Sequence, residues 1–382
     1  MLSIYDEEHE LFRQSFRSFV RERMQPYYDD WDRAGIMPRE IYAEAGRYGF
    51  LGFAIPEEYG GGGTRDFRFN CVIAEEIAAA GPSGGALGMT LHTDITTPYF
   101  LDYATPDQKA RWLPGIASGE LITAIAMTEP GTGSDLSGIT TSAVRDGDHY
   151  VLRGAKTFIT NGINSDLVIV VCRTTPGVGR DGLSLLVVER DMPGFERGRN
   201  LDKIGQHSAD TAELFFADVA VPVDNLLGEE GRAFEYLERN LAQERMSMTI
   251  MGLAVARVVL DQTIAYVKER RAFGRRVADF QNTKFVLAEL ATAIAVTTPF
   301  VESAVLALNA GTLTPATAAM AKLHTTELQN RVVDRCLQLF GGYGYTTEYS
   351  IGRYWTDARI ATIYGGTSEI MKTIIAKELL QG

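Results

Sequence analysis

The sequence predicts an α+β multidomain chain with an N-terminal helical bundle, a central antiparallel β-domain and a C-terminal helical bundle. Three observations predict it. From Asp6 to about residue 120, apolar residues recur at helical spacing. From Leu121 to about Val223 the texture changes to short β-rich runs separated by Gly, Asp and Pro. From Gly231 onward helical spacing returns in longer stretches. Helices, then strands, then helices divide the chain into residues 1–120, 121–228 and 229–382. A chain of 382 residues is long enough for that many cores.

In chain order, Asp6 caps a first helix whose apolar face is Leu11, Phe12, Phe16, Phe19 and Val20, and Pro26 ends it. A second helix covers residues 67–80 and stops at Gly81-Pro82. The glycine run at 59–64 lacks a following Lys-Ser/Thr, so it reads as a loop and not as a phosphate cradle. The β-rich runs are 149–152, 167–171, 183–188 and 213–216. They lack the strand–helix alternation of a dinucleotide-binding unit. In the last third, Thr314 caps a helix with Pro315 in its first turn. That helix carries Val332, Val333, Cys336, Leu337 and Phe340 on one side and stops at Gly341-Gly342. Pro299 is expected to kink the helix before it. After Tyr364-Gly365-Gly366, Thr367 caps a final helix, Glu369 suits its positive end, and Met371, Ile374, Ile375 and Leu379 share a face.

Composition excludes several classes. Hydrophobic content of 45% marks a globular chain, and a net charge of −12 argues against a nucleic-acid binder. Cys71, Cys172 and Cys336 are far apart with no CxxC pair, so neither a metal site nor a disulfide framework is expected. The acidic start, MLSIYDEEHE, is unlike a signal peptide. The apolar stretch at 246–260 is broken by Arg257 and is too short for a membrane span. A cytoplasmic protein is expected.

Four motifs carry chemistry. The first, Met127 to Asp135, is rich in small residues, and Thr128 and Ser134 offer hydroxyls; an ordinary glycine turn has the same composition. In the second, Lys156 to Gly162, Phe158 and Thr160 point to one side of a strand. A ring beside a hydroxyl suits a flat flavin, while a strand ending in an Asn-Gly turn is the plain alternative. The third, Arg270-Arg271-Ala272-Phe273-Gly274, can pair with a pyrophosphate or simply end a helix. The fourth joins Gln338 to Gly344 with the later Tyr364-Gly365-Gly366-Thr367.

Together and in this order, TEPGTGSD, KTFITNG, ERRAFG, LQLFGGYGY and IYGGTSEI resemble the acyl-CoA dehydrogenase family over essentially the whole chain. The resemblance implies FAD bound between domains and across a subunit interface, in a homodimer or homotetramer. It implies an acyl-CoA substrate and an electron-transfer flavoprotein as redox partner. Met127, Thr128, Gly133 and Ser134 would line the isoalloxazine, with Ser134 also near the CoA portion. Phe158 and Thr160 would flank the flavin; most relatives carry Trp where Phe158 stands. Arg270, Phe273, Gln281 and Gln338, Leu339, Phe340, Gly341 and Gly342 would hold the pyrophosphate and adenosine, with Thr367 and Glu369 completing that site. Ala242, Arg245, Gly365 and Gly366 would lie on the substrate side.

The implied α,β-dehydrogenation needs a base, and a carboxylate in an apolar pocket suits it. Most members of the family place Glu directly after the Tyr of the IYGGT turn, where this chain has Gly365. The long-chain and isovaleryl types place it instead on the helix matching Leu241-Ala242-Gln243-Glu244-Arg245, and the LxQER and IYGGT pair is most like the long-chain type. Glu244 is therefore the expected base. A solvated Glu on a charged helix is the plain alternative. Gly365 then leaves room for that carboxylate and keeps an N–H for the thioester carbonyl. An oxidase or flavin monooxygenase of the same fold, or a non-catalytic scaffold, are the competing readings. The small residues Ser83-Gly84-Gly85-Ala86 lean towards a deep acyl pocket.

Overall fold

The computed structural model describes residues 1–82, 84–177 and 179–380. The N-terminal part holds α1 (Glu7–Phe19), α2 (Tyr28–Ala34), α3 (Glu40–Arg47), α4 (Arg68–Ala80), α5 (Ala86–Thr90), α6 (Thr97–Tyr103) and α7 (Pro106–Ser118). The strands follow: β1 (Thr123–Ala126), β2 (Ser142–Asp146), β3 (His149–Thr160), β4 (Leu167–Arg173), β5 (Leu183–Glu189), β6 (Phe195–Asn200), β7 (Thr211–Pro222) and β8 (Leu226–Leu227). The last part contains α8 (Ala233–Glu269), the small hairpin of β9 (Arg271–Ala272) and β10 (Arg275–Arg276), then α9 (Gln281–Asn309), α10 (Pro315–Phe340), α11 (Ile351–Ala358) and α12 (Ser368–Leu380).

Asp6 caps α1, and its N–H donates to His9 Nδ1 at 3.2 Å. Pro26 is not the terminator. α1 ends at Phe19, and a widened turn at Val20–Met24 intervenes before Pro26, which opens the approach to α2. Proline fits there because the first turn of a helix leaves its N–H groups unused. α9 runs as one continuous helix through Pro299. Thr314 caps α10, accepting from Thr317 N at 3.1 Å.

The sheet order is β6-β7-β3-β2-β4-β5-β8, with β1 also on β4. It is mixed, not purely antiparallel: β1 lies parallel to β4, because the chain leaves β1 through the 127–141 loops and a hairpin before returning beside it. β4 and β5 are buried on both faces, which is why they read as unbroken apolar runs. Leu167, Ile169 and Val171 pack towards α6 and α7, while Val168, Val170 and Cys172 face the opposite core.

α8 is the axis of the C-terminal part. Met246, Ile250, Leu253 and Val259 join Leu290 and Val301 of α9 and Leu328 and Val332 of α10 in one core. By length and composition α8 and α9 are both long enough to cross a membrane, contrary to the expectation from residues 246–260. What places α8 inside the protein is its packing and its buried Glu244 and Arg245. On α12 only Met371 of the expected face is fully buried. Leu379 is 70% exposed.

Candidate active site

Glu244 stands near the start of α8, only 3% exposed. The Tyr99 hydroxyl of α6 donates to its Oε1 at 2.9 Å. Burial raises its carboxyl to about 7, and the Tyr99 bond and the Arg245 charge only partly offset that. Its neighbours on α8 hold the geometry. Ser247 Oγ donates to Asp94 Oδ2 at 2.5 Å, and Gln243 Nε2 donates to the Asp94 carbonyl at 2.8 Å. Asn70 Nδ2 of α4 donates to Asp94 Oδ1 at 2.6 Å. The segment leading into α6 is thereby tied to α8 on both sides of Glu244. A solvated surface Glu is excluded.

The Gly365 turn faces the same stripe of α8. Met248 follows Glu244 by one helical turn and so lies on its face. A Cβ on Gly365 would come within 2.0 Å of Met248 Cε, and Gly365 has φ +61°. Glycine takes that left-handed backbone without strain and leaves the end of Met248 in place. The Gly365 N–H has no acceptor among the described residues. Gly366 is held by Lys322 of α10, whose Nζ donates to its carbonyl at 2.7 Å. Burial, reinforced by Arg245, lowers the Lys322 ammonium to about 8. Arg245 is buried with its Nε unpartnered among the described residues, while Ala242 on the turn before it is half-buried.

The β-domain contributes a second group. After a first shift between Leu152 and Gly154, β3 pairs with β7 in register to Lys156↔Leu214 and pairs again at Ile159↔Ala212. In the gap the Thr157 N–H donates to the Thr128 carbonyl at 2.9 Å, so the strand exchanges β7 for the 127–129 loop. Lys156 turns inward, donating to the Met127 carbonyl and to Glu129 Oε1, each at 2.9 Å. Burial would push the Glu129 carboxyl up, but bonds from Thr141 and Thr140 and the Lys156 charge outweigh it and hold it at about 2. The bulge leaves Phe158 at φ +60° with its ring 67% exposed. Thr160 shares that side and is half-buried. Gly133 and Ser134 are exposed, and a Cβ on Gly133 would meet nothing within 4 Å. Met127 packs in the apolar cluster that contains Tyr99.

A third group lies at the other end of α8. Arg270 and residues 338–342 line one open groove of about 450 Å³. The Arg270 guanidinium lies 5.2 Å from the Tyr343 ring centre. Phe273 is 94% exposed at φ +51°, and Gln281 is exposed at the start of α9. Thr367 caps α12, accepting from Ile370 N at 3.3 Å, with Glu369 exposed beside it.

Tyr99, Met248, Lys322 and Glu129 have no role in the sequence reading. Only Glu129, inside the first motif, carried a local signal. One expectation fails. Gly84 and Gly85 do not open a pocket: a Cβ on Gly84 would come 2.6 Å from the Gln206 backbone, and one on Gly85 would come 2.7 Å from Met37 Cβ. They are small because the β-domain and the α2–α3 connection pack against them, and Ser83 lies outside the described residues.

A displayed ring, an unobstructed glycine loop and an arginine-lined groove fit FAD. Sequence models of the acyl-CoA dehydrogenase N-terminal, middle and C-terminal domains match residues 6–120, 124–219 and 231–380. The chain belongs to the acyl-CoA dehydrogenase family, whose members are flavin-dependent oxidoreductases. It is 44% identical to the mitochondrial long-chain specific acyl-CoA dehydrogenase of Rattus norvegicus, over 99% of this chain and 87% of that one. It matches the crystal structure of an acyl-CoA dehydrogenase from Geobacillus kaustophilus with a TM-score of 0.97 and 49% identity, covering 100% of both. A glutaryl-CoA dehydrogenase from Mycobacterium smegmatis, solved in complex with FADH2, matches with a TM-score of 0.91 and 28% identity, over 99% of this chain and 96% of that one.

Proposed function

We propose that the chain catalyses FAD-dependent α,β-dehydrogenation of an acyl-CoA to the trans-2-enoyl-CoA. Electrons then pass to an electron-transfer flavoprotein, in fatty-acid β-oxidation or branched acyl-CoA catabolism. The observation that carries this is Glu244: a buried carboxyl near neutral pKa, on the α8 stripe that faces the Gly365 turn.

Glu244 takes the α-proton. Burial makes its carboxylate a stronger base, and a general base works best with a pKa near the working pH. The Gly365 N–H donates to the thioester carbonyl and stabilises the enolate; one such donor is worth about 10²–10³ in rate. FAD, when bound, supplies the acceptor that takes the β-hydrogen as hydride. Met127, Thr128, Gly133, Ser134, Phe158 and Thr160 would hold its flat end. Arg270, Phe273, Gln281, residues 338–342, Thr367 and Glu369 would hold its pyrophosphate and adenosine.

Glu244 and Arg270 are roughly 39 Å apart along α8, at about 1.5 Å per residue. That exceeds the reach of one dinucleotide, which supports a homodimer or homotetramer in which one protomer's groove serves another's flavin. The exposed Phe285, Val296, Phe300 and Leu306 of α9 support the same reading.

The test is an anaerobic flavin absorbance titration with butyryl-, isovaleryl-, octanoyl- and palmitoyl-CoA. Bleaching with a new long-wavelength band is the expected result, and Glu244→Gln should slow it by about 10²–10⁴. Bleaching by the Gln variant at the wild-type rate would remove Glu244 as the base.

A further inference from the structure

Among the described residues, Lys156 and Lys322 are the fully buried lysines. Lys156 meets a carboxylate, Glu129 Oε1, at 2.9 Å. Lys322 of α10 has no carboxylate of the described residues within ion-pair reach. Its Nζ donates instead to the Gly366 carbonyl at 2.7 Å. Glu327 of α10 and Glu369 of α12 act on it only from farther away, and from α8 it faces a like charge, Arg245. Burying a cation without an ion pair costs stability. Lys322 therefore earns its place by what it holds, not by what it adds to the fold.

What it holds is the turn that carries the Gly365 N–H. Gly365 and Gly366 have φ +61° and +94°. A glycine takes either hand about equally, so two in succession leave a turn free to reorient. Before the pair, the Tyr364 N–H donates to the Ile360 carbonyl at 3.1 Å; after it, the Met371 N–H donates to the Thr367 carbonyl at 2.9 Å. Between those anchors, the Lys322 bond is the one hydrogen bond to either glycine among the described residues. It is short and charge-assisted, which makes it a strong clamp.

We propose that Lys322 is a positioning residue of the reaction: by clamping the Gly366 carbonyl it aims the Gly365 N–H at the thioester carbonyl. The proposal rests on the dehydrogenase reading above. Lys322 acts through the turn and touches no reacting atom. The Gly365 N–H and the Gly366 carbonyl belong to different peptide units, so the effect is one of aim and not of polarisation along a single amide. An oxyanion donor has to lie about 2.7–3.1 Å from the position the oxyanion takes. Charge on that oxygen grows as the α-proton leaves, so a misaimed N–H weakens the transition state more than the bound substrate.

The experiment compares the flavin-loaded wild type with Lys322→Met, which keeps the stem and removes the donor, and with Lys322→Arg, which keeps a charged donor. Three quantities are read. The first is the single-turnover rate of flavin bleaching per bound flavin, at saturating acyl-CoA. The second is the calorimetric Kd of the 2-enoyl-CoA product. The third is the carbonyl stretch of bound enoyl-CoA carrying a ¹³C thioester carbon, read by isotope-edited infrared spectroscopy. A hydrogen bond to a carbonyl lowers that stretch. In Lys322→Met the rate should fall by about 10-fold or more, as a 1 Å misplacement can cost about 10²-fold. Its Kd should stay close to that of the wild type, and the carbonyl downshift should shrink. Lys322→Arg should recover part of both the rate and the downshift. Lys322→Gln, one methylene shorter, is the second variant should Met disturb folding. Wild-type bleaching by Lys322→Met, or a slowed variant with an unmoved carbonyl stretch, overturns the proposal and leaves the dehydrogenase standing. A wild type that no acyl-CoA bleaches fails the dehydrogenase reading instead, and the carbonyl stretch still reads whether Lys322 sets the donor.

Discussion

The Tyr99 hydroxyl donates to Glu244 Oε1 at 2.9 Å across the α6–α8 contact, both groups being buried. That bond favours the charged carboxylate, against the burial that raises its pKa to about 7. As Glu244 must be ionised to take a proton, kcat/KM should rise with pH and reach half its plateau near pH 7. Tyr99→Phe removes the opposing bond, so the midpoint should move up by about one unit. An unchanged or lowered midpoint would break the link.

Glu244→Gln should lower kcat by about 10²–10⁴ and should also stabilise the fold in a pH-dependent way. The native carboxyl, at about 7, binds protons more tightly than the unfolded one, whose ordinary value is 4.5. Its contribution is therefore fully present below 4.5 and is lost as pH rises through 7. The melting advantage of the Gln variant should grow between pH 5 and pH 8, towards about 3 kcal/mol at most. A constant advantage across that range would mean Glu244 is not raised.

Gly365→Ala should be costly chiefly through its backbone. The left-handed backbone costs a non-glycine residue roughly 1–2 kcal/mol, while the new methyl, 2.0 Å from Met248 Cε, would displace only the flexible end of that side chain. A loss in kcat/KM of about 10-fold or more is expected, as a 1 Å misplacement at a site can cost about 10²-fold. Met248→Ala in the same chain should recover the steric part. Full activity in Gly365→Ala alone would show that this turn does not need to approach α8.

Lys156→Met should leave Glu129 buried without its ion pair, costing about 3–5 kcal/mol. The stitch between the 127–129 loop and the Phe158 bulge should loosen with it, so the flavin-to-protein ratio after dilution should fall. Adding Glu129→Gln should recover most of the stability in a denaturant melt. A single variant as stable as the wild type would remove the pair from the site's support.

Much of the fold was legible because its signals are local. Thr314 and Thr367 announce helix starts by side chains that accept from their own backbones, and at Asp6 the His9 side chain accepts from the Asp6 N–H. β4 and β5 announce themselves as unbroken apolar runs. The parallel β1–β4 pairing was not legible, since parallel and antiparallel partners have the same strand composition. The small residues at Gly84 and Gly85 were misread because sequence shows the missing side chain and not the neighbour that excludes it.

By itself, the sequence determined the order of helices, strands and helices, and the coincidence of Gly365 with Glu244 in the LxQER helix. These follow from spacing and residue type along the chain. Tertiary structure alone decided that Glu244 is buried and met by Tyr99, and that Met248 fills the space before Gly365. Burial and pairing are properties of two segments at once, and no single stretch of sequence carries them.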